Sequence, residues 1–238
     1  MEFSFLSVLA LGLVLGIKHA IEPDHVIAVS TIASQSKKLF RSTLAGVFWG
    51  IGHTATLFIV GTILILMKGE IPEKWAMSLE FLVGIMLVYL GVTTVFSFKN
   101  IHVHKHTHDG EEHKHIHSHV HNGKHEHTHE HKKVSYLKSM FIGLVHGLAG
   151  SGAMVVLTMS TVKNVWEAAI YILIFGVGTV IGMLFFTTLI GLPFVFSAKK
   201  VNLNKTLTQI TGGVSIVFGI YYMYNLGVTE GLFKLWIQ

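Results

Sequence analysis

The sequence predicts an all-α, polytopic membrane protein, and three observations carry that reading. Of its 238 residues, 51% are hydrophobic and only 13% charged, with a mean hydropathy of +0.58. A soluble domain carries roughly 25% charged residues. The apolar residues run in stretches close to the ~20 needed to cross a bilayer. Many of the charges, finally, gather in one polar insert near the middle of the chain.

Six apolar segments follow one another, at 4–33, 42–67, 76–98, 136–161, 166–192 and 205–226. The N-terminus lacks the basic start and small-residue cleavage site of a secretory leader, so it reads as the beginning of the first span. The insert 99–135 divides the chain into a first three-helix unit (1–98) and a second (136–238). Lys37, Lys38, Arg41, the insert, Lys199, Lys200 and Lys205 fall on one side of the membrane. Only Lys68, Lys74, Lys163 and Lys234 fall on the other. The positive-inside rule therefore expects a plasma-membrane protein with both termini extracytoplasmic and the insert cytoplasmic. The basic balance, with a pI near 9.3, is read as setting orientation and meeting anionic lipid headgroups, not as a nucleic-acid surface.

The two halves look related. Gly16-Ile-Lys-His19 opens the polar part of segment 1, and Gly143-Leu-Val-His146 does the same in segment 4. Trp49-Gly-Ile-Gly-His53-Thr54 and Phe175-Gly-Val-Gly-Thr179 follow at similar offsets. Three spans per half force the second copy to run the opposite way, which predicts a 3+3 pseudo-inverted repeat with its site near the midplane.

Segment 1 carries Lys18, His19, Glu22, Asp24 and His25 inside an apolar run. Each ionised group at bilayer depth costs at least ~2.5–3.5 kcal/mol, so the cluster must face a cavity or other helices. At ~100° per residue, His19 does not share a helix face with Asp24 or His25. Pro23 removes an N–H, crowds the His19 carbonyl and pushes Glu22 off helical angles, so the helix opens there. An opened turn lets His19, Asp24 and His25 converge and frees carbonyls as further ligands. Lys18 is expected to neutralise Glu22 four residues on. Two imidazoles and a carboxylate suit Ni, Co, Zn or Fe(II), whereas Mg or Ca would want mainly oxygen. With no cysteine in the chain, thiolate ligands and dithiol redox chemistry are excluded. His53 and His146, each beside glycines in an apolar span, are further candidate ligands or partners that orient one. Thr54, Thr56 and Ser151 are candidates to line the path.

Residues 102–131 hold thirteen of the seventeen histidines. His alternating with polar neighbours buries nothing, so the insert is expected to be a disordered, cytoplasmic, low-affinity collector of transition metal.

His19-Ala-Ile-Glu-Pro-Asp24-His25 fits the His-x4-Asp-His signature of the nickel/cobalt transporter family. Gly52-His53-Thr54 resembles that family's second block, a Gly-His-Ser/Thr in the next helix. With six spans, and His146-Gly-Leu-Ala-Gly-Ser151 in segment 4, the chain is most similar to the smaller branch of urease accessory membrane proteins and nickel/cobalt efflux proteins. The resemblance implies a transporter of Ni(II) and/or Co(II) through a site of His19, Asp24, His25 and His53, to which the reading of the residues adds His146. It implies no permanent cofactor, and a cytosolic metallochaperone as partner. A zinc or iron transporter and a non-transporting nickel chaperone for urease maturation are the alternatives. No phosphate-binding Gly-x4-Gly-Lys-Ser/Thr loop and no His-Glu-x-x-His element occurs, which argues against an ATPase and a zinc hydrolase.

Overall fold

The computed structural model describes residues 5–67, 71–98, 101–108, 111–118, 135–162 and 164–237. At 98, 101–108, 111–118, 151–157 and 159–161 the description is of backbone alone. In chain order the helices are α1 (Phe5–His19), α2 (Pro23–Ser34), α3 (Leu39–Met67), α4 (Glu73–Val95), α5 (Tyr136–Thr161), α6 (Val165–Ser197), α7 (Val201–Tyr224) and α8 (Leu232–Ile237). A π-turn, Asn225–Thr229, joins α7 to α8.

Helices α3, α4 and α6 are each long and apolar enough to cross a membrane. The pair α1 and α2, bent by 57° at a short break, counts as a fourth span if it is one broken crossing. Their outward faces present large apolar residues such as Leu66, Ile85, Phe185 and Leu189, as lipid-facing helices must. Inside, Trp49, Val83, Leu87, Leu90 and Met183 form a buried core together with Ala20, Ala28 and Val29 of the broken segment.

The helices pack mainly across the two halves of the chain: α3 with α5 and α6, α4 with α7, and α1 with α6. Small residues permit this, as expected where lipid gives no hydrophobic drive for helices to associate. Gly16 lies against the Phe175 carbonyl, and Gly143 against the Trp49 carbonyl. Between α4 and α7 the contacts are reciprocal. A methyl on Gly219 would stand 2.8 Å from the Gly84 carbonyl oxygen, and one on Gly91 2.6 Å from that of Gly212. Ser215 also donates from α7 to the Leu87 carbonyl at 2.8 Å.

The insert departs from expectation. Within it β1 (Ile101–His108) and β2 (Glu111–Ser118) form an antiparallel pair. The physical reason lies in the alternation: histidine every second residue, with Ile, Val and Thr between, has the period of a strand. The register sets His102 opposite His117, His104 opposite His115 and His106 opposite His113. The remaining histidines, from His119 to His131, lie outside the described residues.

Candidate metal centre

The centre forms where the first apolar segment breaks. Helix α1 ends at His19, and α2 starts at Pro23, whose missing N–H costs nothing at a first helical position. Glu22 before it is extended, at φ −61° and ψ 144°, as a following proline demands. The turn between is tight, with Ile21 N–H donating to the Lys18 carbonyl at 3.0 Å and Glu22 N–H to the His19 carbonyl at 3.1 Å. The His19 carbonyl, expected from sequence to be released as a ligand, is thus spent within the chain. What the break delivers is side-chain direction. His19 leaves the end of α1, and Asp24 and His25 leave the first turn of α2, into one cavity of about 330 Å³.

Two other helices complete it. His53 of α3 is fully buried, with its Nε2 3.2 Å from Nε2 of His19. His146 of α5 is also buried and brings Nε2 to 2.7 Å from Oδ2 of Asp24. The other Asp24 oxygen, Oδ1, stands 3.2 Å from Nδ1 of His25. All five residues named from the sequence therefore meet in one place.

Carboxylates sit behind the imidazoles. Glu22 holds His19 Nδ1 at 2.9 Å and is 4.0 Å from His25 Nδ1. Its expected partner, Lys18, is not the one it takes. Once Glu22 adopts extended angles, the four-residue helical spacing to Lys18 no longer brings the two together. An imidazole whose Nδ1–H donates to a carboxylate presents its Nε2 lone pair, which is how proteins orient histidine ligands. His19 and His25 are both arranged in this way. Donor atoms of His19, His25 and His53 lie within 4.8 Å of one another, as do those of Asp24, His25 and His146. His25 belongs to both sets. The 3.2 Å between His19 and His53 nitrogens is close to the ~3.3 Å edge of a tetrahedron with metal–nitrogen bonds of ~2.0 Å. Among the described residues, His25 Nε2, His53 Nδ1 and His146 Nδ1 are buried without a hydrogen-bond partner. Buried polar atoms in that state call for an explanation, and for His25 Nε2 a cation reaching the cluster would give one.

Four residues around the cluster carry no role in the sequence reading. Trp49 lies parallel to His53 at 5.1 Å and edge-on to His25 and His146 at 5.0 and 5.1 Å. It stands one helical turn before His53, so it was there to be read. Phe175, 5.3 Å from the His19 ring, opens the Phe175-Gly-Val-Gly-Thr179 element of the repeat, whereas Glu80 and Tyr222 come from segments with no motif. Conversely, Thr54 donates to the Gly176 carbonyl at 3.2 Å and Thr56 to that of Leu144 at 3.0 Å. Both hydroxyls join helices instead of lining the cavity. The side chain of Ser151 lies outside the described set.

Comparison with known proteins places the chain. Residues 8–221 match the family described as Cytochrome C biogenesis protein transmembrane region. The chain is 61% identical over 237 residues to the Urease accessory protein UreH of Bacillus sp. (strain TB-90), covering 100% of this chain and 99% of that protein. Two proteins of Arabidopsis thaliana, Chloroplast protein FOR GROWTH AND FERTILITY 1 and 2, are each 26% identical over 215 residues. The chain spans about half of those two, 56% and 54% of their lengths. No solved structure matches. With a match running from α1 into α7 and an end-to-end likeness to UreH, the chain belongs to the multi-pass membrane protein family of the cytochrome c biogenesis transmembrane region, in the company of that urease accessory protein.

Proposed function

We propose that this protein carries a divalent transition-metal cation, Ni(II) and/or Co(II), across the plasma membrane. The observation that supports this most is the convergence of four imidazoles and Asp24 on one cavity at a broken apolar helix. Helices interrupted at membrane depth are where transporters bind small ions. In this reading His19, His25 and His53 are ligands, Asp24 is a ligand or the group that orients His25 and His146, and Glu22 orients His19. The crosswise glycine contacts of Gly16 and Gly143 support six spans arranged as a 3+3 inverted repeat. Termini then lie outside and the His-rich insert inside, where it collects metal and exchanges it with a cytosolic metallochaperone. The pairing of His with His in the hairpin register supports that collecting role. The protein moves its ion without catalysing a reaction. With no cysteine, thiol–disulfide exchange is not open to it.

The name of the 61% identical relative favours one second reading, in which the protein hands nickel to urease maturation without transporting it. Proteoliposomes separate the two. Transport predicts Ni(II) or Co(II) accumulation that is abolished in His19→Ala and in Asp24→Asn. Full flux in both variants sinks the proposed site, and no flux in wild type that still binds metal favours the handing role. The sign of the change in cellular nickel on expression gives the direction.

A further inference from the structure

The cavity wall holds a carboxylate that the imidazole cluster does not use. Glu80 sits in α4, a helix long and apolar enough to cross a membrane, and is half-buried. It lines the same cavity as the five centre residues. Among the described residues no lysine, arginine or histidine forms an ion pair with it. Its partner is the Tyr222 hydroxyl, at 3.4 Å. A phenol hydrogen bond does not neutralise a carboxylate, and an uncompensated carboxylate at membrane depth is unfavourable enough to mark a functional position.

The charge on the wall says what compensates it. The charged residues lining the cavity are Lys18, Glu22, Asp24 and Glu80. One ammonium against three carboxylates leaves two negative charges, the charge carried by a single divalent cation. Without Glu80 the wall falls one short, and a cation inside keeps an unbalanced positive charge in a medium that penalises it. The position of Glu80 is built, not incidental. Tyr222 is stacked on Phe218 at 6.0 Å, and its helix is held to α4 by the reciprocal glycines and the Ser215 bond. Directly beyond it α7 passes into the π-turn, a distortion often found at functional sites.

We propose that Glu80, held by Tyr222, is a second, oxygen-donor station for the divalent cation. It receives the ion from the imidazole–Asp24 centre on the α4–α7 side of the cavity and balances its charge during passage. This rests on the transport reading above.

Full-length protein in detergent, titrated with Co(II) and followed by its visible ligand-field spectrum, reports the imidazole centre. The same protein in liposomes reports flux at saturating Co(II) and its dependence on a potassium-diffusion potential. Glu80→Gln is expected to keep the ligand-field spectrum of wild type, with a modest loss of affinity from the missing charge, while maximal flux falls roughly tenfold or more. Its flux should also depend more steeply on potential, because the moving complex gains one charge. Glu80→Asp should recover part of the flux, and Tyr222→Phe should fall between. Wild-type flux and voltage dependence in Glu80→Gln overturn the station while leaving transport intact. Loss of the Co(II) spectrum in that variant overturns it too, by placing the carboxylate in the first centre. Wild type that binds Co(II) and carries none refutes the transport reading and takes the station with it.

Discussion

At His25 the two donor sets overlap, and the ring is buried to 1% exposure. Removing it takes a member from each set, whereas removing His146 breaks only one. His25→Ala should therefore weaken Co(II) or Ni(II) binding by more than His146→Ala does. Loss of an orienting partner alone costs ~10–100-fold in metal affinity, which sets the expected scale for His146. Competition against a chelating dye on purified protein measures both, and an equal or larger loss at His146 would remove His25 from its central place. The five clustered residues were legible in the sequence because a histidine or aspartate in an apolar run needs a reason to be there. Tyr222 was not, since an aromatic in such a run is unremarkable until its neighbours are known. Glu80 was visible as a lone carboxylate, but nothing in its local sequence said which cavity it meets.

Helix packing rests on absences of side chain. At Gly143 an added methyl would collide with the Trp49 carbonyl, while at Gly213 it meets nothing within 4 Å. Gly143→Ala should thus push α5 from α3 and destabilise the fold by ~1–3 kcal/mol, the usual cost of overpacking. Gly213→Ala should be neutral or stabilising by up to ~1 kcal/mol through helix propensity. Thermal unfolding of the two variants in detergent tests the contrast, and equal shifts would contradict it. Because α5 carries His146, the first variant should also weaken metal binding. The break at Pro23 was readable from one residue, as proline leaves few alternatives. The hairpin in the insert was not, because an alternation of histidine with polar neighbours offers no face to bury, and its two-residue period was weighed as composition and not as a strand. The fate of Glu22 was misread for a related reason: helical spacing was applied across a residue that proline removes from the helix.

On the scale of the whole molecule, the transport reading divides the work between the insert and the membrane core. Deleting 102–131 should lower the number of metal ions bound and alter affinity or regulation, with transport continuing. The part of binding that is lost should be the acid-sensitive part, weakening as pH falls through ~6.5 where free imidazoles take up protons. Metal counting by elemental analysis and liposome flux check the two halves of that statement. Loss of all flux would move the selective step from the membrane to the insert. Membrane class and the core's polar cluster were readable from hydropathy alone. Which helices touch was not, because Gly-rich apolar segments offer many equivalent packings until tertiary structure selects one.

The crosswise packing of the helices has a consequence for how the protein is made. Asp24 must wait 122 residues for His146, roughly 6–24 s at the ~5–20 residues per second of synthesis. During that interval helices α1–α4 stand with the charged break uncovered, since α1 has not met α6 and α3 has met neither α5 nor α6. Until the second half arrives, the polar groups at the break have none of the partners that α5 and α6 later bring. The polar insert, synthesised in between, lengthens the interval before α5 can close over the site.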